Sequence, residues 1–173
     1  MVRVDYESLA LNRVVNDAVA TIEQVTGIKA GGDVPLTDAQ RKQVYEAWLK
    51  HLVPKIEDPK KTSGIYGNSR DQIIARGGNQ ADLGVILESQ AAVCRELSLT
   101  GSVVFGEFGI ATTVQAGNVG TFSGRGGGHA WIRDDLGNII DNNHTRGIHD
   151  WKHYQNRVGG AEYSNQVQPA KFH

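Results

Sequence analysis

The run Ala91-Ala92-Val93-Cys94-Arg95-Glu96 decides how this chain is read, together with Gly128-His129-Ala130-Trp131-Ile132-Arg133 and Ile139-Ile140-Asp141-Asn142 downstream of it. Cys94 is the only cysteine among 173 residues. A free thiol is only a few per cent thiolate at neutral pH. An imidazole can take its proton, and a carboxylate on the far ring nitrogen fixes the imidazole's tautomer and orientation. Between His129 and Asp141 the stretch Asp134-Asp135-Leu136-Gly137-Asn138 reads as a hairpin turn. Two adjacent strands would then hold the histidine and the aspartate side by side. The rival carboxylates Asp134 and Asp135 are expected at the turn, pointing to solvent. Asn142 is the fallback orienting residue, because an amide fills that role in some Cys-His sites.

Working outward from that run, the chain separates into two halves. In the first, Leu9, Val14, Val15, Ala18, Val19, Ile22 and Val25 recur at helical spacing, and Gly27 is placed to cap the helix. Thr37 with Gln40 makes a capping box for a second helix. Its apolar stripe is Val44, Trp48, Leu49 and Leu52, and Pro54 is expected to end it. Residues 55–82 are polar and loop-rich, with a short helix around 71–75. In the second half, residues from about 89 to 108 read as a largely buried helix with Cys94 near its beginning and Gly109 at its end. Gly101 and Gly106 within it suggest tight packing. Residues 110–116, 129–133 and 138–141 read as strands, and the tail after Thr145 as irregular or a short helix. Helices followed by an antiparallel sheet make an α+β fold, a single domain over 1–173, with a helical N-terminal region over 1–85, a catalytic core over 86–145 and a tail over 146–173.

Composition closes off several classes of function. A net charge of −1 and a pI near 6.6 carry no electrostatic footprint for nucleic acid. Lys60-Lys61 is the only pair of adjacent lysines and reads as a solvated loop. No apolar run approaches the ~20 residues that span a membrane. The charged residues between Met1 and Tyr6 do not suit a cleaved signal. A lone cysteine suits a reducing compartment. The expected location is therefore cytoplasmic, or outside the cell by export without a cleaved signal peptide.

Around the candidate triad, further residues have weaker claims. A helix start places partial positive charge beside a thiolate. Gln90, one helical turn before Cys94, is a candidate oxyanion donor beside the Cys94 backbone N–H. The Trp48 indole is an alternative donor, although core packing suits it better. Trp131 shares a strand face with His129 and is either a cleft wall or core packing. Gly124 and Gly126 to Gly128 precede His129 as a mobile loop or a close backbone approach. Asn79, Gln80 and Asp82 could line a groove or simply solvate a loop. His144, His149 and His153 are spaced like metal ligands, but with one cysteine and a polar setting no metal site and no cofactor is expected.

The quoted residues resemble the transglutaminase-like superfamily, a branch of the papain-like Cys-His-Asp cysteine enzymes. The resemblance lies in Cys94-Arg95-Glu96 at a helix start, Phe108-Gly109-Ile110-Ala111 at the turn into a strand, His129-Ala130-Trp131-Ile132 on a strand and Ile140-Asp141 on the next. It covers about residues 88–145. It implies a Cys-bearing buried helix packed on an antiparallel sheet, with Cys94 as nucleophile, His129 as general base and acid, and Asp141 as orienter. Gln90, Trp131 and Asn142 would have secondary roles at the oxyanion or the substrate. Where relatives often have Asp-Pro-Thr, this chain has Asp141-Asn142-Asn143-His144-Thr145. The implied activity is acyl transfer from a carboxamide through a Cys94 thioester, by deamidation or transglutamination of a glutamine. The same triad also serves a cysteine peptidase or cell-wall amidase, and a binding domain could keep the fold without turnover. The short format resembles small bacterial effector and toxin domains. Expected partners are a protein or peptide presenting a glutamine or amide, and an immunity or carrier protein.

Overall fold

The helical half is built by caps and one-sided apolar stripes. The computed structural model describes residues 2–59, 68–78, 80–119, 127–157 and 161–167; at 68–71, 127, 157 and 161–167 only the backbone is described. Helix α1 (Leu9–Thr26) begins where the Ser8 hydroxyl accepts the Leu11 N–H, and ends at Gly27 with φ 73°. Its buried stripe is Leu11, Val15, Ala18 and Ile22. Leu9 and Val25, expected in the stripe, are exposed instead. Helix α2 (Asp38–Ala47) starts with the expected Thr37–Gln40 capping box. Pro54 does not end the helical run. A π turn over Trp48–Leu52 widens the backbone, with the Val53 N–H reaching back to Trp48 O. Pro54 then falls in the first turn of α3 (Val53–Ile56), where a missing N–H costs nothing.

The segment before the cysteine is not helical. Helix α4 (Asn68–Arg76) covers the short helix expected near 71–75. Strand β1 (Val2–Arg3) pairs in parallel with β2 (Ala81–Asp82), an element not read from the sequence. Helix α5 (Leu83–Glu88) follows, and Gln90 adopts a left-handed φ of 50°. Ala92 then pairs with residues 56–58: Asp58 N–H donates to Ala92 O at 2.9 Å, and Ala92 N–H to Ile56 O at 3.3 Å. This pairing outcompetes the helical preference of the two alanines, so α6 runs from Cys94 to Glu107 and the cysteine is its first residue. The Glu96 carboxylate reaches back to accept the Val93 N–H at 3.3 Å. At the far end Gly109 (φ 71°) donates to Gly106 O and Ile110 N–H to Phe105 O. That pair of bonds is a Schellman cap.

Five strands form an antiparallel sheet in the order β6-β5-β4-β3-β7: β3 (Thr112–Val119), β4 (Gly127–Asp134), β5 (Ile139–Asp141), β6 (Gly147–His149) and β7 (Ala161–Val167). The tail, expected to be irregular or a short helix, holds the short helix α7 (Trp151–Arg157) and also supplies both edge strands, which were not expected. Alternation along the strands splits the sheet into two faces. Ile132 and Ile140 join the main core with Phe105, Trp48 and the α1 stripe. Trp131 and Ile139 pack with Val119, Tyr154 and Trp151 in a second cluster.

Buried polar contacts tie the helices to the sheet. The Trp48 indole N–H donates to Asn142 Oδ1 at 2.7 Å, and Asn142 Nδ2 donates to Ser98 Oγ at 3.0 Å. Asp134 does not point to solvent: it is 4% exposed. It accepts the Tyr45 hydroxyl at 2.7 Å, the Asn138 amide at 2.8 Å, and the Leu136 and Asn138 backbone N–H groups. Asp135 is half exposed but ion-pairs with Arg41. The β4–β5 turn is therefore fastened to α2. Among the described residues, no helix is long and apolar enough to cross a membrane.

Gly101 and Gly106 make a controlled pair. A Cβ at Gly101 would lie 2.8 Å from Ile132 Cδ1 and 3.0 Å from the Trp48 ring. At Gly106 it would meet nothing within 4 Å. Alanine gains up to about 1 kcal/mol over glycine inside a helix, while overpacking a dense core costs about 1–3 kcal/mol. Gly106→Ala should therefore stabilise the fold and Gly101→Ala destabilise it, as chemical denaturation would show.

Candidate active site

Cys94, His129 and Asp141 arrive from three elements. α6 delivers the half-buried cysteine as its first residue, β4 the histidine, and β5 the aspartate. The β4–β5 register pairs Ile132 with Ile140 and Arg133 with Ile139. Continued by one residue, it sets Asp141 opposite Trp131 and so diagonally from His129, within the reach of a long side chain. His129 Nε2 and Asp141 Oδ1 are 2.9 Å apart. Cys94 lies close enough to the ring to favour its charged form.

Asp141 has no exposed surface and is enclosed by donors. Oδ1 accepts His129 Nε2 and the backbone N–H groups of Asn143 (3.2 Å) and His144 (3.1 Å). Oδ2 accepts the Thr145 N–H (3.0 Å), the Thr145 hydroxyl (3.1 Å) and the Tyr154 hydroxyl (3.2 Å). Burial alone would favour the neutral acid, but His129 and these donors hold the carboxyl well below its usual range. Burial likewise opposes charge on His129. The bonds to Asp141 and Cys94 outweigh it and raise the imidazole from 6.5 to about 9. A raised pKa adds stability that is complete below about 6.5 and is lost as pH climbs through about 9.

The remaining candidates lie elsewhere. Gln90 is exposed, outside any helix, and its amide donates to Lys55 O at 2.8 Å. The turn-below-cysteine geometry expected of it does not form, because residues 89–93 are not helical. Asn142 is fully buried between Trp48 and Ser98, as a strut and not an orienter. Trp48 accordingly spends its indole N–H inside the core. Trp131 has no exposed surface and gives its indole N–H to Gln115 at 3.0 Å, so it packs beneath His129 and is not a cleft wall. Gln80 is exposed, and Asp82 caps α5 through the Gly84 N–H. Residues 60–67, 79 and 120–126 lie outside the described set, and with them Lys60-Lys61, Asn79, Gly124 and Gly126. Among the described residues, no group of three or more His, Cys, Asp or Glu is placed to hold a metal.

Four residues join the site without having been read as part of it: Thr145, Tyr154, His149, which sequence spacing singled out only as a possible metal ligand, and Arg146. The first two touch Asp141. His149 Nε2 lies 2.8 Å from Thr145 Oγ1. Arg146, at a left-handed φ of 45°, ion-pairs with Glu57 beside the bridge that holds Ala92. Only the Thr145 contact left a local trace: an Asp followed by polar residues favours a turn wrapped on its own carboxylate.

Because Asp134 gathers Tyr45, Asn138 and two backbone donors in a buried setting, its removal should be costly. Asp134→Ala should lose about 3 kcal/mol, the scale for breaking a buried hydrogen-bonded charge. Asp135→Ala, at an exposed pair, should lose under about 1 kcal/mol. Equal melting curves for the two variants would contradict this assignment.

No family model and no curated protein matches the sequence. In three dimensions the chain is similar to a solved structure described as the crystal structure of a TGase, with 15% identity and a TM-score of 0.50. The match spans 87% of this chain but 38% of that one. At that identity the likeness is one of fold, and it supports the transglutaminase-like architecture.

Proposed function

We propose that this protein is a cysteine-dependent acyltransferase or hydrolase acting on a carboxamide, most naturally the side chain of a protein glutamine. The carrying observation is the 2.9 Å pair of His129 Nε2 with the buried Asp141 carboxylate, beside a cysteine that bears on the charge of the same imidazole. The fold likeness to a TGase agrees with it.

In the proposed reaction His129 accepts the thiol proton, and the thiolate attacks the amide carbon. The Cys94 N–H, at the first position of α6, has no partner to accept it within the helix, so it is available to the oxyanion. Collapse breaks the C–N bond, the imidazolium gives its proton to the departing ammonia, and a Cys94 thioester remains. Water then yields glutamate, or an amine yields an isopeptide. Asp141 keeps the proton on Nε2 and stabilises the imidazolium, so Nδ1 alone exchanges protons with sulfur and substrate. The same triad would open a peptide bond if a backbone amide entered the site.

The test is a protein lysate incubated with a labelled primary amine and read by mass spectrometry against Cys94→Ala. Expected are amine incorporation (a gain of the amine's mass less about 17 Da for the ammonia released) or glutamine-to-glutamate change (about +1 Da), as acyl transfer requires. Both should vanish in the variant, by several orders of magnitude in rate. New chain termini with neither change would replace this reading with a peptidase.

The acid role of His129 fixes a pH dependence. Ammonia release from a blocked glutaminyl peptide should fall as pH rises through about 9, where the imidazolium loses its proton. Asp141→Asn removes the charge that holds that proton. The alkaline limb should then move toward 6.5, and kcat should drop by up to about 10⁴. An alkaline limb left in place by Asp141→Asn would contradict the assigned pair.

A further inference from the structure

Thr145 has one hydroxyl proton and two neighbours. Its Oγ1 is 3.1 Å from Asp141 Oδ2 and 2.8 Å from His149 Nε2. An ionised carboxylate can only accept. The hydroxyl therefore gives its proton to Asp141, and its lone pair accepts a proton from His149 Nε2. That settles the direction of a continuous chain: His149 Nε2–H to Thr145 Oγ1–H to Asp141 Oδ2, with Asp141 Oδ1 taking His129 Nε2–H and His129 turned to Cys94.

Two further features hold the outer end. The His149 ring stacks on Tyr154 (centroids 5.7 Å, 30°) and on His153 (5.6 Å, 19°). Tyr154 itself donates to Asp141 Oδ2. Gly147 supplies the space, since a Cβ there would come within 2.9 Å of His149 Nε2 and 3.1 Å of Cε1. The ring lies close over bare backbone, held where its Nε2 meets the threonine.

We infer that Thr145 and His149 are positioning residues for the triad, acting through the Oδ2 oxygen of Asp141. This inference rests on the function proposed above. A carboxylate with a fully occupied Oδ2 cannot rotate to offer either oxygen to His129. Each donor on Oδ2 also draws charge from Oδ1 and moderates its pull on the His129 proton. His149 polarises the threonine hydroxyl and so tightens the donation.

The test combines two readouts on the full chain. His129 is titrated by NMR in protein carrying labelled histidine, which needs no substrate. Ammonia release from a blocked glutaminyl peptide supplies kcat and KM. Thr145→Val removes the donor while keeping shape, and Thr145→Ser restores it. His149→Phe keeps the stack on Tyr154 but removes Nε2. Gly147→Ala displaces the ring without deleting a polar group. Thr145→Val, His149→Phe and Gly147→Ala should raise the His129 titration midpoint and lower kcat about tenfold at unchanged KM. About tenfold is the low end of the scale known for outer partners that orient metal-bound histidines and carboxylates, applied to a carboxylate that orients a histidine. Thr145→Ser should match the parent protein. Should Thr145→Val fail to fold, His149→Phe and Gly147→Ala decide alone. Folded variants whose His129 midpoint and kcat stay at parental values overturn the inference. Activity that survives in Cys94→Ala instead overturns the functional reading, while the NMR arm still reports on the hydrogen-bonded chain.

Discussion

A buried carboxylate organises the functional end of this molecule. An ionised carboxyl without solvent is expensive, and the cost is relieved only by donors that replace water. Asp141 takes three on each oxygen. Meeting that demand dictates the path of the chain beyond it. Residues 143–145 curl so that three consecutive N–H groups point at one side chain. Strand β6 then returns beside β5 with Asp141 facing Gly147, and α7 brings Tyr154 over the sheet. His129 occupies the one remaining donor position, so the histidine is oriented by the same solvation that makes the loop.

The cysteine is placed by a different device. Cys94 stands first in α6 because Ala92 pairs as a strand with residues 56–58 and Glu96 takes the Val93 N–H. Those constraints release the backbone from helical geometry up to Val93 and impose it at Cys94. The Arg146–Glu57 pair joins this support to the loop that follows Asp141. Cysteine and carboxylate are thus braced against each other through residues outside the candidate triad. The N-terminal helices contribute through Trp48 and Tyr45, whose polar ends reach Asn142 and Asp134.

Elements whose signals are local were legible in the sequence. The Thr37–Gln40 box, the caps at Gly27 and Gly109, and the hairpin between His129 and Asp141 all depend on residues within a few positions of one another. Gly101 and Gly106 were both read as close-packed, and the structure separates them: Gly101 lies against Ile132 and Trp48, while Gly106 faces open space. The errors fall where a distant partner outweighed a local preference. Ala91 and Ala92 look helical until the bridge to residues 56–58 is present. Pro54 looks like a stop until a π turn accommodates it. Asp134 looks like a solvated turn residue until Tyr45 and Arg41 close over it.

By itself the sequence determined the residue types of the candidate triad, their order, the α+β alternation of helices and strands, and which segments cap. These follow from short-range periodicity and from the chemistry a thiol requires. Only the tertiary structure decided which polar residues serve the site and which brace the core. Asn142 next to Asp141 became a strut, Gln90 turned away to Lys55, and Thr145, His149 and Tyr154 converged on one carboxylate. The reason is that a hydrogen bond is satisfied by whatever donor arrives within about 3 Å. Sequence spacing constrains that distance along a helix or across a tight turn. It does not constrain it between a strand, a helix from the chain's tail and a loop that meet only when folded.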